Sequence, residues 1–374
     1  MYASEYWTIL SLLFARSNRN GEKWGTRREI QLIISMGLIS FCSTSNHGTL
    51  LISMISPLPP LDARIPPCDH ARLHPRRCPF CSSEGEEKFI RPDRLHVRSC
   101  SACGAFFVSP APSAQALNDL YSRYYANHRK VEMQQYLHDT SLLREMLAMD
   151  PFTDVKVREI ATTMRLANAR TLDVGFGIGL TMVLLRKLGG RVAGIDLDPE
   201  AVDFARSHLG ISEIHQLDLL DFTPDQPYDL ITFHDLIEHP LDPLSLLKKA
   251  RSILAPGGLL SIWTPNGSFL LEERDPVQLR VDLEHMQYLS SRTCGVIAQD
   301  LGFEIVHLES LGTPRLENVA RLSGSHAGGW KRTVRRAIRH VPGFVAMNAL
   351  RKKLASSDLR RGRYHLFCLL RRRD

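Results

Sequence analysis

Residues 171–180 read TLDVGFGIGL, and the rest of the chain is ordered around them. Leu172 and Val174 make a short apolar run around Asp173. Gly175, Gly177 and Gly179 follow at alternating positions, and 180–188 is apolar and helix-compatible. The order is strand, tight turn, helix. Such a turn calls for glycine because its backbone takes positive φ and because a ligand must approach bare main chain. The first N–H groups of the following helix then face that ligand. The dinucleotide fingerprint G-x-G-x-x-G would need glycine at position 180, where this chain has Leu180. The next strand, 191–196 (RVAGID), ends in Asp196, about 20 residues on, where a carboxylate is placed to grip ribose hydroxyls.

Downstream, strand-like and helix-like stretches alternate. Strands are expected near 171–175, 191–196, 213–217, 228–234, 258–264, 303–309 and 363–370. A helix is expected over 243–254, with a turn at Pro256-Gly257-Gly258 before the fifth strand. This alternation predicts an α/β fold, a Rossmann-like, seven-stranded, mostly parallel sheet with helices on both faces. Upstream, Ser113 is placed to cap a helix running to about Tyr125. That helix would carry Leu117, Leu120, Tyr121 and Tyr124 at helical spacing, its aromatics read as packing. Two further helices are expected over 131–148 and 153–167.

The chain has 374 residues, 44% hydrophobic and 23% charged, which is the composition of a globular protein with ample core. Its net charge of +7 is unevenly spread. From Trp330 onward fourteen basic residues face only Asp358 and Asp374, so the remainder is net acidic by five. Basicity confined to one segment suggests an anionic surface near the tail. The longest apolar run, 32–42, is too short to span a bilayer.

Of the eight cysteines, Cys42, Cys68, Cys294 and Cys368 are scattered. Cys78, Cys81, Cys100 and Cys103 form C-x2-C-x18-C-x2-C, the spacing of a four-cysteine zinc ribbon. Four thiolates close the coordination sphere, so the Zn2+ is expected to be structural. This is not the dense pattern of a secreted disulfide scaffold, and a reducing cytoplasm is expected. The domain plan is then a disordered or untranslated leader at 1–70 (Met54 being an alternative start), a zinc ribbon at 71–110 and a helical linker or lid at 111–168. The core follows at 169–312, and a basic amphipathic insertion with the final strand at 313–374.

TLDVGFGIG, GIDLDPEAVDFAR, YDLITFHDLIEHPLDP, LAPGGLLSIWTPN and DLEHMQYLSSRTCGVIAQDLGF follow one another through about 171–310. In that order they resemble the class I S-adenosylmethionine (SAM)-dependent methyltransferases, most closely the ubiquinone-biosynthesis O-methyltransferase-like branch. The ribbon resembles a module that precedes this domain in a bacterial subgroup linked to polysaccharide or secondary-metabolite methylation. The resemblance implies that Asp173, Gly175, Gly177 and Gly179 cradle the methionine part of SAM and that Asp196 takes the ribose hydroxyls. It further implies that Leu197 packs on the adenine and that Asp218 accepts from the adenine amino group, with Asp221 as its competitor. Asp235, Glu238 and His239 end the fourth strand at i, i+3 and i+4 and would share a face if the segment took a helical turn. The resembling enzymes carry acid-x-x-Glu-His there, linked to Mg2+, with Glu where this chain has the shorter Asp235. A metal would acidify the acceptor hydroxyl, or His239 would act as general base. His285 also matches a recurrent position, in a segment that covers the acceptor.

The expected activity is O-methylation of a small-molecule, sugar or lipid-linked metabolite. An RNA methyltransferase using ribbon and basic tail is the rival, and a non-catalytic SAM-binding partner protein is a second. HDLIEHP is not the Asn-Pro-Pro-aromatic signature of amino-methylating nucleic-acid enzymes, and neither Cys294 nor Cys368 sits where a C5-pyrimidine nucleophile would. Residues 330–354 place Trp330, Val334, Ala337, Ile338 and Val341 on one helical face with Arg and Lys opposite. That pattern suits peripheral contact with the inner face of a membrane, a nucleic-acid patch, or a solvated helix on the domain.

Overall fold

The computed structural model describes residues 72–91, 93–124, 150–269, 284–312, 359–360 and 362–374, all within the unit Leu61–Asp374. The leader, the helix expected at 131–148 and the basic segment 330–354 lie outside the described residues.

The main sheet holds seven strands: β6 (Arg170–Val174), β7 (Arg191–Asp196), β8 (Glu213–Gln216), β9 (Tyr228–His234), β10 (Leu254–Pro265), β12 (Phe303–Leu311) and β13 (His365–Arg372). Their spatial order is β12-β13-β10-β9-β6-β7-β8. β10, β9, β6, β7 and β8 run parallel, and β13 lies antiparallel between β10 and β12. From β6 the chain first winds outward through β7 and β8, then returns to the other side with β9 and β10. The strand order therefore reverses between β6 and β9, and the carboxyl ends of those two strands flank a crevice.

Helices α2 (Pro151–Thr163), α3 (Leu180–Lys187), α4 (Pro199–Ser207), α5 (Pro243–Ile253) and α6 (Ser291–Asp300) accompany the sheet; α1 (Ala114–Tyr124) precedes them. Three begin with Asp-Pro. Asp150, Asp198 and Asp242 each accept from backbone N–H groups of the first turn, and the proline occupies a position whose N–H has no helical partner anyway. Ser290 and Thr293 cap α6 reciprocally. Each such cap stabilises its helix by about 1 kcal/mol. α3 differs: its N-cap is Gly179 at φ 74° with no side-chain cap, so its first N–H groups stay open toward the crevice.

The core lies between sheet and helices. Leu172, Leu230, Ile231, Phe233, Ile262 and Trp263 are buried in the central strands. Two expectations shift. α2 ends at Thr163, with Met164 extended, four residues before the expected 167. Pro256-Gly257-Gly258 is not a turn ahead of the fifth strand but an irregularity inside β10. Pairing with β9 breaks after Leu254↔Tyr228 and resumes at Leu259↔Leu230. A Cβ at Gly258 would stand 2.9–3.2 Å from the carbonyl oxygens of Ala255, Tyr228 and Asp229, so the close backbone approach requires glycine.

The ribbon is a second sheet: β2 (Glu86–Ile90), β3 (His96–Ser99) and β4 (Phe106–Val108), joined at its edge by β11 (Gln287–Tyr288). β1 (Leu73–His74) and β5 (Ala111–Pro112) pair beside it. β11 comes from the far end of the core segment, so the ribbon sheet is completed by the chain it precedes.

Candidate active site

The glycine turn and the strand-end acid gather at the ends of β6 and β7. The turn after β6 has φ of 68°, 53° and 74° at Gly175, Gly177 and Gly179. Asp196, closing β7, accepts from Gly177 N–H at 2.8 Å through Oδ2 and from Asp198 N–H at 2.9 Å through Oδ1. Each carboxylate oxygen thus retains a lone-pair direction for a ligand hydroxyl. Burial raises the Asp196 carboxyl, and the N–H groups of Asp198 and Gly177 oppose that rise. Leu197 next to it is 67% exposed, an apolar side chain with nothing yet covering it. Asp218 follows β8, is exposed, and caps the single 3-10 turn Leu219–Asp221 by accepting from Leu220 N–H at 2.9 Å.

Beneath the glycine turn runs a polar seam in which Asp173 was anticipated from the sequence and Lys156, His234 and His365 were not. Asp173 accepts from the Thr232 hydroxyl. Lys156, buried on α2, stands 5.0 Å from the Trp263 ring centroid. His234 joins Thr181 Oγ1 (3.3 Å) to Ser261 Oγ (2.8 Å), and His365 stacks on Trp263 at 4.6 Å. Burial, then the Lys156 charge, lowers His234 well below its usual range and His365 to about 3, so both imidazoles are neutral. The only signal for Lys156 was a lysine between Val155 and Val157 in a helix that is otherwise of mixed polarity.

The Asp173 carboxyl is pushed up to about 7 from 3.8, chiefly by burial, while Thr232 and Lys156 pull it back. Between those two values the folded protein keeps a proton that the unfolded chain has released. Stability therefore falls as pH rises through that window and levels off above about 7. Chemical denaturation across pH 4–8 should show this slope in the wild type and its loss in Asp173→Asn. Parallel profiles for the two proteins would show that Asp173 does not hold the proton.

Across the crevice, the chain leaves β9 with Asp235 at φ 53°, its N–H donating to the Trp263 carbonyl at 2.8 Å. That left-handed residue sends 235–240 into turns rather than a helix. The i, i+3, i+4 face therefore does not form. Asp235 is exposed and stands outside the cluster that does form, which joins Glu238 and His239 to His285. Ligand-type atoms of these three lie within 4.8 Å of one another. Glu238 is fully buried and accepts from Thr264 Oγ1 at 3.0 Å through Oε2. His285 Nε2 is 4.0 Å from its Oε1, and the His239 ring meets the His285 ring edge-on at 4.7 Å.

In the ribbon, Cys78–Cys103 and Cys81–Cys100 sulfurs are 3.4 Å apart, and all four lie within 4.8 Å of one another. Four sulfurs each about 2.3 Å from a tetrahedral zinc stand about 3.8 Å apart, so this donor set fits the ion with small adjustments. The Cys103 thiol, and against burial the N–H groups of Phe80 and Cys81, hold the Cys78 thiol well below its ordinary range. Gly104, at φ 76°, turns the chain away beside Ser290.

Residues 125–308 match the family model described as a methyltransferase domain. With the reversing sheet, the glycine turn and the acid closing β7, this segment is a class I SAM-dependent methyltransferase domain. Among curated relatives, the chain is similar to the ubiquinone biosynthesis O-methyltransferase of Xanthomonas euvesicatoria pv. vesicatoria, 36% identical over 118 residues, covering 30% of this chain and 49% of that one. The counterpart of Xylella fastidiosa is 31% identical over 164 residues, 40% of this chain and 65% of that one. The chain thus spans about half the length of the Xanthomonas relatives it matches. A solved magnesium protoporphyrin IX methyltransferase of Synechocystis PCC 6803 is 14% identical with a TM-score of 0.43, covering 68% of this chain and 99% of that one.

Proposed function

We propose that the protein transfers the methyl group of SAM to a hydroxyl oxygen of a small-molecule metabolite, a sugar or a lipid-linked compound. The observation that carries this is the convergence of Glu238, His239 and His285 at the end of β9, across the strand-order reversal from the glycine turn. SAM supplies an activated sulfonium, so its methyl leaves to an attacking oxygen without further activation. The chain's own work is to hold both partners in line and to take one proton. Lys156 offers a positive charge and Asp173 a buried carboxyl to the zwitterionic methionine end, and the uncapped N–H groups of α3 add donors there. Asp196 takes the ribose hydroxyls, Leu197 lies on the adenine, and Asp218 accepts from its amino group. His239 receives the acceptor's proton, with buried Glu238 and His285 fixing and balancing the imidazole that becomes charged.

Mg2+ does not fit this cluster. It is a hard ion that seeks about six oxygens, and the cluster offers one carboxylate and two imidazoles. No step is assigned to it. The ribbon holds one structural zinc on its four cysteines. Among the described residues no helix is long and apolar enough to cross a membrane.

Methyl-labelled SAM given to the purified protein with separated cell fractions tests the proposal. Label should enter the small-molecule or lipid extract. Label confined to RNA would overturn it in favour of the nucleic-acid reading.

A further inference from the structure

The stretch carrying His285 is held from both sides. On the core side, Met286 N–H donates to the Glu238 carbonyl at 2.8 Å, and Gln287 Nε2 donates to the carbonyls of Ile237 (2.8 Å) and Pro240 (2.6 Å). On the ribbon side, β11 pairs with β4 through Gln287↔Phe107 and Tyr288↔Phe106, and Val108 N–H donates to the Met286 carbonyl at 2.9 Å. Two ribbon arginines reach the same few residues. Arg76, two residues before Cys78, donates to the carbonyls of Val108, Met286 and Leu241 and to Gln287 Oε1. Arg91 has no exposed surface. Its guanidinium pairs with Asp93 through two bonds and donates to the His285 carbonyl and, at 3.4 Å, to the Tyr288 hydroxyl. The second knuckle is tied in as well, since Thr293 Oγ1 donates to the Cys103 carbonyl at 3.1 Å.

A buried arginine is costly unless every side of it is satisfied, and its planar fork is suited to bridging an acid and a carbonyl at once. Here that bridge joins the strand pair of the ribbon to the backbone of a residue in the catalytic cluster. We propose that the ribbon positions the acceptor side of the site, with Arg91 as the positioning residue that seats His285 against Glu238. Closing the four thiolates on zinc sets the shape of the β2–β4 sheet. That sheet sets β11, and β11 sets His285. None of the hydrogen bonds just named reaches β6, β7 or the glycine turn, although apolar ribbon residues share a core cluster with those strands. The proposal rests on the reading of Glu238, His239 and His285 as the acceptor side.

The test compares the two halves in full-length protein. The His285 ring resonance is assigned by its disappearance in His285→Gln. In Arg91→Lys, whose ammonium cannot bridge Asp93 and the His285 carbonyl together, that resonance should move. Backbone amides at 284–289 should exchange at least about 10-fold faster. Affinity for S-adenosylhomocysteine, read by calorimetry, should stay within about twofold. Cys78→Ser/Cys100→Ser, shown by metal analysis to have lost its one zinc, should give the same pattern. If that variant fails to fold, Arg91→Lys decides alone, because it leaves the thiolates intact. Unchanged exchange and an unmoved His285 resonance would overturn the proposal. So would a fall in S-adenosylhomocysteine affinity in step with faster exchange, since the ribbon would then brace the whole domain. A Glu238→Gln enzyme with full turnover would remove the proton-handling role of the cluster and leave the exchange result standing.

Discussion

His239→Ala and Glu238→Gln should each lower turnover on the methyl acceptor by about 10²-fold or more, with SAM affinity nearly unchanged. A hydroxyl becomes an adequate nucleophile only as its proton leaves, and His239 is the half-buried imidazole of the Glu238–His239–His285 cluster. Glu238 lies fully inside, anchored by Thr264 Oγ1, 4.0 Å from His285. Replacing it by Gln keeps the volume and the Thr264 hydrogen bond but removes the negative charge that would balance His239 once it takes the acceptor's proton. The loss should therefore fall on turnover rather than on binding. Asp235→Asn, by contrast, should leave turnover close to wild type, because Asp235 is exposed and outside the cluster. Steady-state rates with calorimetric SAM binding separate these cases. Chelation brief enough to leave the four-cysteine site undisturbed should have no effect. Activity abolished by the chelator and restored by a divalent ion would show that a metal, not His239, handles the proton. Wild-type turnover in both variants would leave catalysis to alignment alone.

Asp196→Ala should weaken SAM binding by about 1.5–3 kcal/mol, a loss of about 10- to 150-fold. On the proposed reading, the variant cannot make the charge-assisted bonds to ribose. The N–H groups of Gly177 and Asp198 also lose the acceptor that shapes the glycine turn. Asp196→Asn separates the contributions. Its amide oxygen keeps one acceptor for the turn, while its NH2 presents donors where the carboxylate accepted. Most of the ligand loss should persist in the Asn variant, with less loss of stability than in Ala. Unchanged affinity in calorimetry of the Ala variant would remove Asp196 from the cofactor site.

Much of this protein is written locally. Seven strands lie within a few residues of their expected places, because alternating apolar runs and helical periods report on a single segment at a time. The glycine turn and Asp196 were legible because positive φ and a strand-end acid are properties of a few consecutive residues. The four cysteines were legible because two tight knuckles suffice to present two thiolates each, and the structure brings all four together. The Glu238–His239–His285 cluster was legible only in part. Glu238, His239 and His285 were each singled out, but Asp235 was grouped with the first two on an assumed helical turn. The left-handed conformation of Asp235 and its bond to the Trp263 carbonyl removed that turn.

His285 joins Glu238 and His239 although it stands 46 positions after His239 in the chain. No periodicity could report that. Its position follows from β11 pairing with a ribbon strand far upstream and from Arg91 reaching its carbonyl. Lys156 likewise reads as one more helix residue until α2 packs on the sheet and turns it toward Asp173 and Trp263. By itself, then, the sequence determined the order of elements, the cofactor turn and the metal knuckles, each set by short-range sterics and hydrogen bonding. Only the tertiary structure decided which distant side chains join Glu238 and His239 in one cluster. That convergence depends on long-range strand pairing and on the burial of charged groups, neither of which leaves a mark on neighbouring residues.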